Sequence, residues 1–439
     1  MSIGGGTFTV QNKTLPGTYI NFVSQTSTVS TAERGIVALP LPLHWGPEKT
    51  LMTINSDEYY DKALSMLGYG SVDENLLLIR QALTHATTLL LYRADVGGTK
   101  ASASITGLSV NANYTGIRGN DLKIAVVTNG DDLDVVTYLD GAEVDRQTTD
   151  SDGVGLAAND YVTFAVTALS AVASLPLTGG LDGEDTTQSY ADFLALLEPE
   201  TFNVVGYAGT DVSVKALFVA FAKRLHDEEG KKIVAVISQY TLADSIAVIS
   251  VDNGVILSDG TVIAANDAVC WVAGASAGAE INESLTNMAY DDAVDVDTKY
   301  TSSGYEAALE AGQFVFYLQS GTVRVLSDIN TLVTFSTDVS EDWTSNRVVR
   351  VMDGWANDVT LIFTERYLGT QTNSATGQSL FKADLVTLGK QYASIDAISD
   401  FSADDIEVGQ GDGKRDLLVS CALTPNDSME KLYMTVNVQ

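Results

Sequence analysis

Cysteine and histidine are scarce in this chain, which has two cysteines and three histidines among 439 residues. Cys270 and Cys421 lie far apart, within the apolar runs "DAVCWVA" and "LLVSCALT". Such surroundings predict two buried free thiols. No group of cysteines and histidines has the spacing of a zinc site, so the sequence predicts no metal centre.

Basic side chains are also few, because 25 lysines and arginines stand against 57 aspartates and glutamates and give a formal net charge of −32. A phosphate backbone or an anionic membrane would repel such a surface, which argues against a nucleic-acid-binding protein. Two explanations of the charge stay open. It can serve simple solubility, or it can prevent random clumping of a protein that is packed at high density.

Long apolar runs are absent, since no stretch approaches the roughly 20 residues that a membrane helix needs. The start, "MSIGGG", lacks the basic and then apolar pattern of a secretion signal, so we expect synthesis in a cytosol. Hydrophobic residues nevertheless make up 45% of the chain. This proportion indicates a globular protein, and the length predicts roughly two to four domains.

The early part of the chain has the alternating pattern of an α/β fold. "SDEYYDKALSMLG" (56–68) starts with an acidic turn and ends at a glycine, which predicts a helix. "DENLLLIRQALTHA" (73–86) predicts a second helix, and "TLLLYRAD" (88–95) predicts a buried strand. The same pattern returns near residue 186, where "TQSYADFLALLE" predicts a helix and "KKIVAVISQ" a strand.

Residues 97–180, between these α/β parts, are rich in glycine, threonine, asparagine, valine and aspartate. The stretch "LKIAVVTNGDDLDVVTYLDGAEVDRQTT" predicts three strands, joined by turns at "NGDD" and "DG". We interpret residues 97–180 as a small all-β domain that is inserted into one α/β domain.

Residues 346–439 are predicted to form a last unit. The stretch "NRVVRVMDGWANDVTLIF" predicts a helix with an apolar stripe made of Val348, Val351, Met352, Trp355 and Val359. A second helix is predicted near 377–391. The chain then predicts strands, and in the last one the apolar residues alternate with others. These apolar residues are Leu432, Met434, Val436 and Val438.

The motif "GASAG" (274–278) matches the nucleophile elbow G-x-S-x-G, with Ser276 at the elbow, and we expect it between a strand and a helix. However, all three histidines precede Ser276, whereas hydrolases of this type place their histidine after the nucleophile. We therefore interpret the small residues as a means of tight packing between a helix and a strand. An esterase that uses Ser276 is the least favoured hypothesis.

Three loops offer weak signals of other chemistry. "GQGDGKR" (409–415) lacks the glycine spacing and the hydroxyl of a phosphate loop, so a hairpin loop is predicted. The acidic stretches "NGDDLD" (129–134) and "DDAVDVD" (291–297) do not fit the spacing of an EF-hand and are predicted to be solvated turns. The sequence therefore predicts no catalytic residue and no cofactor.

The N-terminal segment is nearly uncharged, since Lys13 is the one charged side chain between Met1 and Ala32. Strands with little charge are unfavourable when their backbone groups stay unpaired, but they can add to the sheet edge of a neighbouring subunit. A kink at Pro16 and Gly17 would let such an arm leave its own domain. The alternative is that both chain ends pair within their own subunit.

Eight stretches, in their order and spacing, resemble the tail sheath proteins of contractile phage tails and R-type bacteriocins. The resemblance is greatest to the short sheaths of defective-prophage and bacteriocin particles. The stretches cover nearly the whole chain. They are "LPGTYINF" (15–22), "RGIVALPLPLHWGP" (34–47), "LLLYRADVGGTKASA" (89–103), "YTGIRGNDLKIAV" (114–126), "LTGGLDG" (177–183), "WVAGASAGAEINESLTN" (271–287), "SDINTLVTF" (327–335) and "NRVVRVMD" (346–353).

The resemblance implies a multidomain fold of α/β and β type, in which terminal strands are exchanged between subunits. Residues 1–24 would form a linking arm through Pro16, Gly17, Tyr19, Ile20 and Phe22. An α/β core domain (25–96 and 181–345) would carry the inserted β-sandwich or barrel domain (97–180) on the outside. A C-terminal α+β domain (346–439) would face the tube and end in a linking strand at 430–439.

The resemblance also implies a mechanical function without catalysis. Subunits would polymerise around an inner tube in a metastable extended state and contract to drive the tube through a target envelope. The expected partners are other copies of the chain, the tube protein, a baseplate and a tail terminator. We expect assembly in the bacterial cytoplasm and release as a phage tail or bacteriocin particle. A surface-array or adhesin-type structural protein is the alternative.

In this family, the helix that matches residues 346–353 lies against the tube. Here it carries Arg347 and Arg350, which could meet acidic groups of a tube. Pairing within the subunit, with Asp342 or Asp353, is an equal alternative.

Overall fold

The structure is a computed structural model that describes residues 5–6, 18–19 and 31–438. The chain divides into two compact units, of which the larger holds residues 32–357 and the segment from Pro425 onward. The smaller holds residues 358–424, together with the strands Gly5–Gly6 and Thr18–Tyr19, which pair in parallel. The division falls inside a helix, whereas the sequence placed a boundary at residue 346.

The larger unit is built on a six-stranded sheet with five parallel strands and one antiparallel edge strand. Its inner strands are buried on both faces, which explains their continuous apolar runs. Alternate residues face opposite sides, so Leu89 and Leu91 enter one core and Leu90 and Tyr92 the other. In spatial order the strands are Val248–Val251, Val234–Ser238, Val204–Gly206, Ile36–Leu41, Thr88–Arg93 and Leu51–Asn55.

Helices cover both faces of this sheet. One face packs against helices α1 (Tyr59–Leu67), α2 (Leu77–Leu83) and α5 (Ala265–Gly278). The other packs against α3 (Thr187–Leu197) and α4 (Val212–Lys223). The side chains of Thr186 and Asp211 cap α3 and α4, as Ser, Thr and Asp commonly do at helix N-termini.

Helix α5 corrects the sequence prediction, which placed a strand at "AVCWVA" and a turn at "GASAG". Both stretches lie within one buried helix, and its end faces the end of α2. A Cβ on Gly274 would lie 2.2 Å from the carbonyl oxygen of Ala82, and one on Gly278 would lie 2.1 Å from that of His85. The small residues therefore permit close packing, as predicted, but between two helices.

Between residues 97 and 180 the chain forms a sandwich of two antiparallel sheets, which confirms the predicted β structure, while the domain boundaries stay a prediction. The predicted turns are confirmed, because strands Leu122–Asn129, Asp132–Leu139 and Ala142–Thr149 follow one another as hairpins. A fourth strand, Val172–Pro176, completes this sheet. The facing sheet contains Val162–Val166, Leu108–Thr115 and Lys100–Ile105.

The two connections between the sandwich and the core lie side by side. The strands Asp95–Val96 and Glu184–Asp185 pair in antiparallel fashion, and Thr99 pairs with Leu181. Trp45 of the core is almost fully buried among the apolar side chains of the sandwich. Arg93 is fully buried and donates hydrogen bonds to the carbonyl oxygens of Gly46 and Thr115. These contacts join the sandwich firmly to the core.

The rest of the larger unit adds helix α6 (Ser302–Glu310) and short strands. Three of these strands form a small sheet, namely Val255–Leu257, Val262–Ile263 and Ala293–Val296. Two more, Phe316–Gln319 and Thr322–Val325, form a hairpin.

Helix α7 (Asn346–Arg366) begins in the larger unit and ends in the smaller one. In the smaller unit, α8 (Ala375–Ser394) and the hairpin of Ile406–Gln410 and Leu417–Cys421 follow. The helices confirm two predictions, and the loop "GQGDGKR" joins the hairpin as predicted. The remaining short strands are Ile398–Ser399 and Thr424–Pro425.

Two residue-level findings complete the comparison with the sequence. Both cysteines are free, but Cys270 is buried whereas Cys421 is only half-buried, which corrects one of the two predicted burials. Among the described residues, no helix is both long and apolar enough to cross a membrane.

Candidate functional site

The most unusual surface of the larger unit is its C-terminal segment, residues 425–438. We call residues 425–430 the anchor and residues 431–438 the terminal extension. The anchor makes hydrogen bonds to the larger unit, whereas the terminal extension makes none with any described part of the chain. The two parts thus differ sharply in how they are held.

The terminal extension exposes the apolar residues that the sequence assigned to a linking strand. Leu432 is 86% exposed, Val436 69% and Val438 93%, and Met434 is similarly exposed. Tyr433, on the opposite side of the alternation, is 89% exposed. Apolar patches of this kind on a soluble protein mark interaction sites.

The predicted strand itself is not formed in the isolated subunit, since residues 426–438 belong to neither a helix nor a sheet. The physical reason is the lack of a partner, because a single extended segment leaves its backbone donors and acceptors unpaired. The alternation of side chains therefore belongs to a segment that could pair as a strand but pairs with no described part of its own subunit.

The smaller unit carries an incomplete sheet. Its hairpin of Ile406–Gln410 and Leu417–Cys421 has no third strand among the described residues. Leu418 and Val419 are exposed. A two-stranded sheet is only marginally stable in water, and its free edges can accept another strand.

Beside this hairpin lies a cavity of about 350 Å³, within the smaller unit. Phe363, Tyr367 and Phe381 form its aromatic wall, and Lys414 and Arg415 lie at its rim. The hairpin is held in place by Asn373, whose side-chain amide donates to the carbonyl oxygens of Lys414 and Asp416.

Most of the predicted N-terminal arm lies outside the described residues, including Pro16, Gly17, Ile20 and Phe22. Tyr19 belongs to the two-residue strand that pairs with Gly5–Gly6. The arm therefore stays a prediction.

Helix α7 was expected to present Arg347 and Arg350 to a tube. The structure instead buries Arg350, whose guanidinium donates to the carbonyl oxygen of Glu283 at 2.5 Å and lies 3.5 Å from the Asp328 carboxylate. This burial favours the intrasubunit alternative for Arg350, although with Asp328 in place of Asp342 or Asp353, and the tube-facing assignment stays a prediction. Arg347 is half-buried.

Asp328 organises the beginning of α7. Its buried carboxylate accepts hydrogen bonds from the backbone N–H of Leu285 at 2.9 Å and from the amide of Asn346 at 2.8 Å. With Arg350 beside it, the buried charge is both paired and hydrogen-bonded, as a buried carboxylate requires. Sequence reasoning missed Asp328 because nothing in "SDINTLVTF" distinguishes it from a surface aspartate.

A second polar contact joins α7 to the π-helical turn Arg224–Glu228 that follows α4. His226 is buried, with Nε2 3.0 Å from Asp353 and Nδ1 2.7 Å from Asp227. Burial acts to lower the pKa of His226, but the hydrogen bonds and charges of the two aspartates outweigh it and raise the pKa above its usual value.

Among the described residues, no base is placed to activate Ser276. It is buried inside α5, and its Oγ has no hydrogen-bond partner among the described residues. It shares a small cavity with Asp353, yet both ring nitrogens of the neighbouring His226 already contact carboxylates. His44 and His85 likewise contact Asp182 and Asp291. This geometry does not make a nucleophile.

Comparisons with known proteins match the chain to the domains of a structural protein. Models of four sheath domains match consecutive parts of the chain: "Tail sheath protein Gp18 domain III N-terminal region" at 34–94, "Phage tail sheath protein beta-sandwich domain" at 96–182, "Phage tail sheath protein central domain" at 183–331 and "Phage tail sheath C-terminal domain" at 338–439. The chain belongs to the phage tail sheath protein family.

Individual relatives cover nearly the whole chain. The phage-like element PBSX protein XkdK of Bacillus subtilis is 36% identical, over 99% of this chain and 100% of its own length. The crystal structure of the sheath tail protein from Desulfitobacterium hafniense is 44% identical, with a TM-score of 0.85 over 95% of this chain and 99% of that one.

The fold extends to distant sheaths. The helical sheath of the anti-feeding prophage in its contracted state has a TM-score of 0.57 and 12% identity, over 97% of this chain and 99% of that one. Family membership confirms the predicted sheath resemblance and the fold class. It favours the tail sheath over the surface-array and adhesin alternative.

Proposed function

We propose that this sheath protein polymerises around an inner tube in an extended state and contracts to drive that tube through a target envelope. The observation that carries the proposal is the terminal extension. It presents an alternating apolar segment that pairs with none of the described residues of its own subunit, in a protein of the phage tail sheath family.

The proposed partner of the terminal extension is the hairpin of a neighbouring subunit. That hairpin has free edges and exposed apolar residues, so an added strand would gain main-chain hydrogen bonds and bury side chains on both molecules. Leu432, Met434, Val436 and Val438 would supply one face of the added strand. The N-terminal arm, residues 1–24, would add a second link.

The other proposed partners follow the family. They are the inner tube protein, the baseplate and the tail terminator, with no cofactor and no nucleic acid. The division into an arm, a core domain, an outward β domain and a C-terminal domain also stays a proposal. Assembly would occur in the bacterial cytoplasm, before release as a phage tail or bacteriocin particle.

Negative-stain electron microscopy tests the proposal. The full-length protein, concentrated alone and co-expressed with its tube protein, is expected to form hollow cylinders with regular striations. A chain without residues 1–24 is expected to stay folded and to form none. Monodisperse subunits under both conditions would contradict the proposal.

A further inference from the structure

The anchor binds its own subunit through two carboxylates and three hydroxyls. Asp427 Oδ1 accepts a hydrogen bond from Ser345 Oγ at 3.0 Å. Glu430 Oε1 accepts from Thr286 Oγ1 at 2.6 Å, and its Oε2 accepts from Ser327 Oγ at 3.2 Å. The three hydroxyls come from three separate segments of the larger unit, so the anchor is held at several points.

The hydroxyl of Thr286 is oriented for this role before the anchor binds. Its oxygen accepts the backbone N–H of Asp328 at 2.8 Å, which leaves its proton free for Glu430. Asp328 is itself fixed by the backbone N–H of Leu285 and the side chain of Asn346. Ser345 directly precedes Asn346, where α7 begins. The anchor therefore binds groups that the buried interior has already positioned.

We infer that residues 425–430 stay on their own subunit in the assembled sheath, and that the exchanged strand begins at Lys431. Ser345, Thr286 and Ser327 are then positioning residues, because they fix the point at which the exchanged strand departs. The inference rests on the proposed function, since it concerns a strand that only an assembly would use.

A fixed departure point limits the position of the neighbouring sheet. Residues 431–438, fully extended, span about 26 Å. The receiving edge must therefore lie within about that distance of Glu430. Fixing the start of a short linker also raises the effective concentration of its end near the partner, which favours pairing without any new contact.

An intrasubunit disulfide tests the inference directly. We would combine Ser345→Cys with Asp427→Cys, whose native side-chain oxygens lie 3.0 Å apart, in a chain that also carries Cys421→Ser to prevent mispairing. Mass spectrometry confirms the link. The oxidised protein is expected to form tubes in a yield within about twofold of its reduced form, because the anchor does not need to leave.

A loss of tubes on oxidation that is reversed by a reductant would overturn the inference, because residues 425–430 would then belong to the exchanged part. The proposed function would survive that result, since the reduced protein still assembles. Absence of tubes from the wild-type chain, alone and with its tube protein, would remove the proposed function and the inference together.

Removing the hydroxyls provides a second measurement. Thr286→Val with Ser327→Ala is expected to raise the critical concentration for tube formation about three- to tenfold, because the departure point is no longer fixed. The matched control is Thr84→Val with Ser65→Ala. The Thr84 hydroxyl lies at the end of α2 and the Ser65 hydroxyl on α1. Equal critical concentrations in the two double variants would contradict the role of the anchor.

Discussion

The six-stranded sheet of the larger unit and the two-stranded hairpin of the smaller unit differ in how completely they are formed within one subunit. Helices bury both faces of the large sheet, and Phe314 pairs with its edge strand at Val251. The hairpin stops at two strands and exposes Leu418. One sheet is thus completed by described parts of its own subunit, while under the proposed function the other would receive a strand from another copy.

Removing residues 431–439 should have the largest effect on tube assembly of the changes considered. We expect the truncated chain to form no tubes, because the strand that completes the hairpin is gone. Its thermal unfolding should shift by no more than about 1 °C, since the terminal extension makes no hydrogen bond within the described subunit. Electron microscopy and calorimetry check both results. Ordered tubes from the truncated chain would refute strand exchange at this end.

Val436→Pro should have the next largest effect. Proline removes a backbone donor from the strand, so we expect the critical concentration for tubes to rise about tenfold while the unfolding temperature stays unchanged. Sedimentation of tubes over a concentration series measures it. The control is Val436→Thr, which keeps the backbone N–H and the branched side chain. Equal assembly by the two variants would show that Val436 lies outside the pairing.

Gly274→Ala tests the packing of helices α2 and α5 against each other in the larger unit, the part of the comparison that is complete within one subunit. The new Cβ would lie 2.2 Å from the backbone of α2, so the two helices must separate. We expect the free energy of unfolding of the larger unit to fall by about 1–3 kcal/mol. Denaturant titration measures it. The control is Gly70→Ala, where the added Cβ meets nothing within 4 Å. A loss no larger than that of the control would contradict the close packing of α2 and α5.

His226→Gln should have the smallest and most pH-dependent effect. The aspartates raise the pKa of His226 in the folded state, although burial opposes them and Lys232 also acts to lower it. The stabilisation is therefore complete below the unfolded pKa near 6.5 and is lost as the pH rises through the folded pKa. We expect a loss of about 1–2 kcal/mol at pH 6 that shrinks toward pH 9.

Denaturant titrations at several pH values check this result, with His44→Gln as the control. His44 also contacts a carboxylate, that of Asp182, but its side chain is much more exposed. The same pH dependence in both variants would show that the His226 pair makes no special contribution.

Local signals in the sequence predicted most of the fold. An acidic first turn and a glycine stop indicated α1, and turn residues indicated the hairpins of the sandwich. Helix α5 was mistaken for a strand because "AVCWVA" is apolar on every side, and a short buried run does not show a helical period. Ala264, before α5, also provides no side-chain cap that would have marked its start.

The functional surface was less predictable, because it depends on groups distant in the sequence. Alternation at Leu432 and Val436 indicated a strand, but the sequence did not show that these apolar residues are exposed and the strand unformed in the subunit. The burial of Arg350 depends on Asp328, which lies on another segment. Glu430 gave no signal, since its contacts with Thr286 and Ser327 come from tertiary structure alone.

The adjacent connections at Asp95–Val96 and Glu184–Asp185 have a consequence for evolution and for engineering. An inserted domain whose two connections lie side by side can be replaced as a unit, because the rest of the protein has to bridge only a short gap, whichever domain is inserted. A graft between Thr99 and Leu181 would leave the six-stranded sheet untouched. The replacement domain must, however, present an apolar surface to Trp45, because this side chain would otherwise become exposed to solvent.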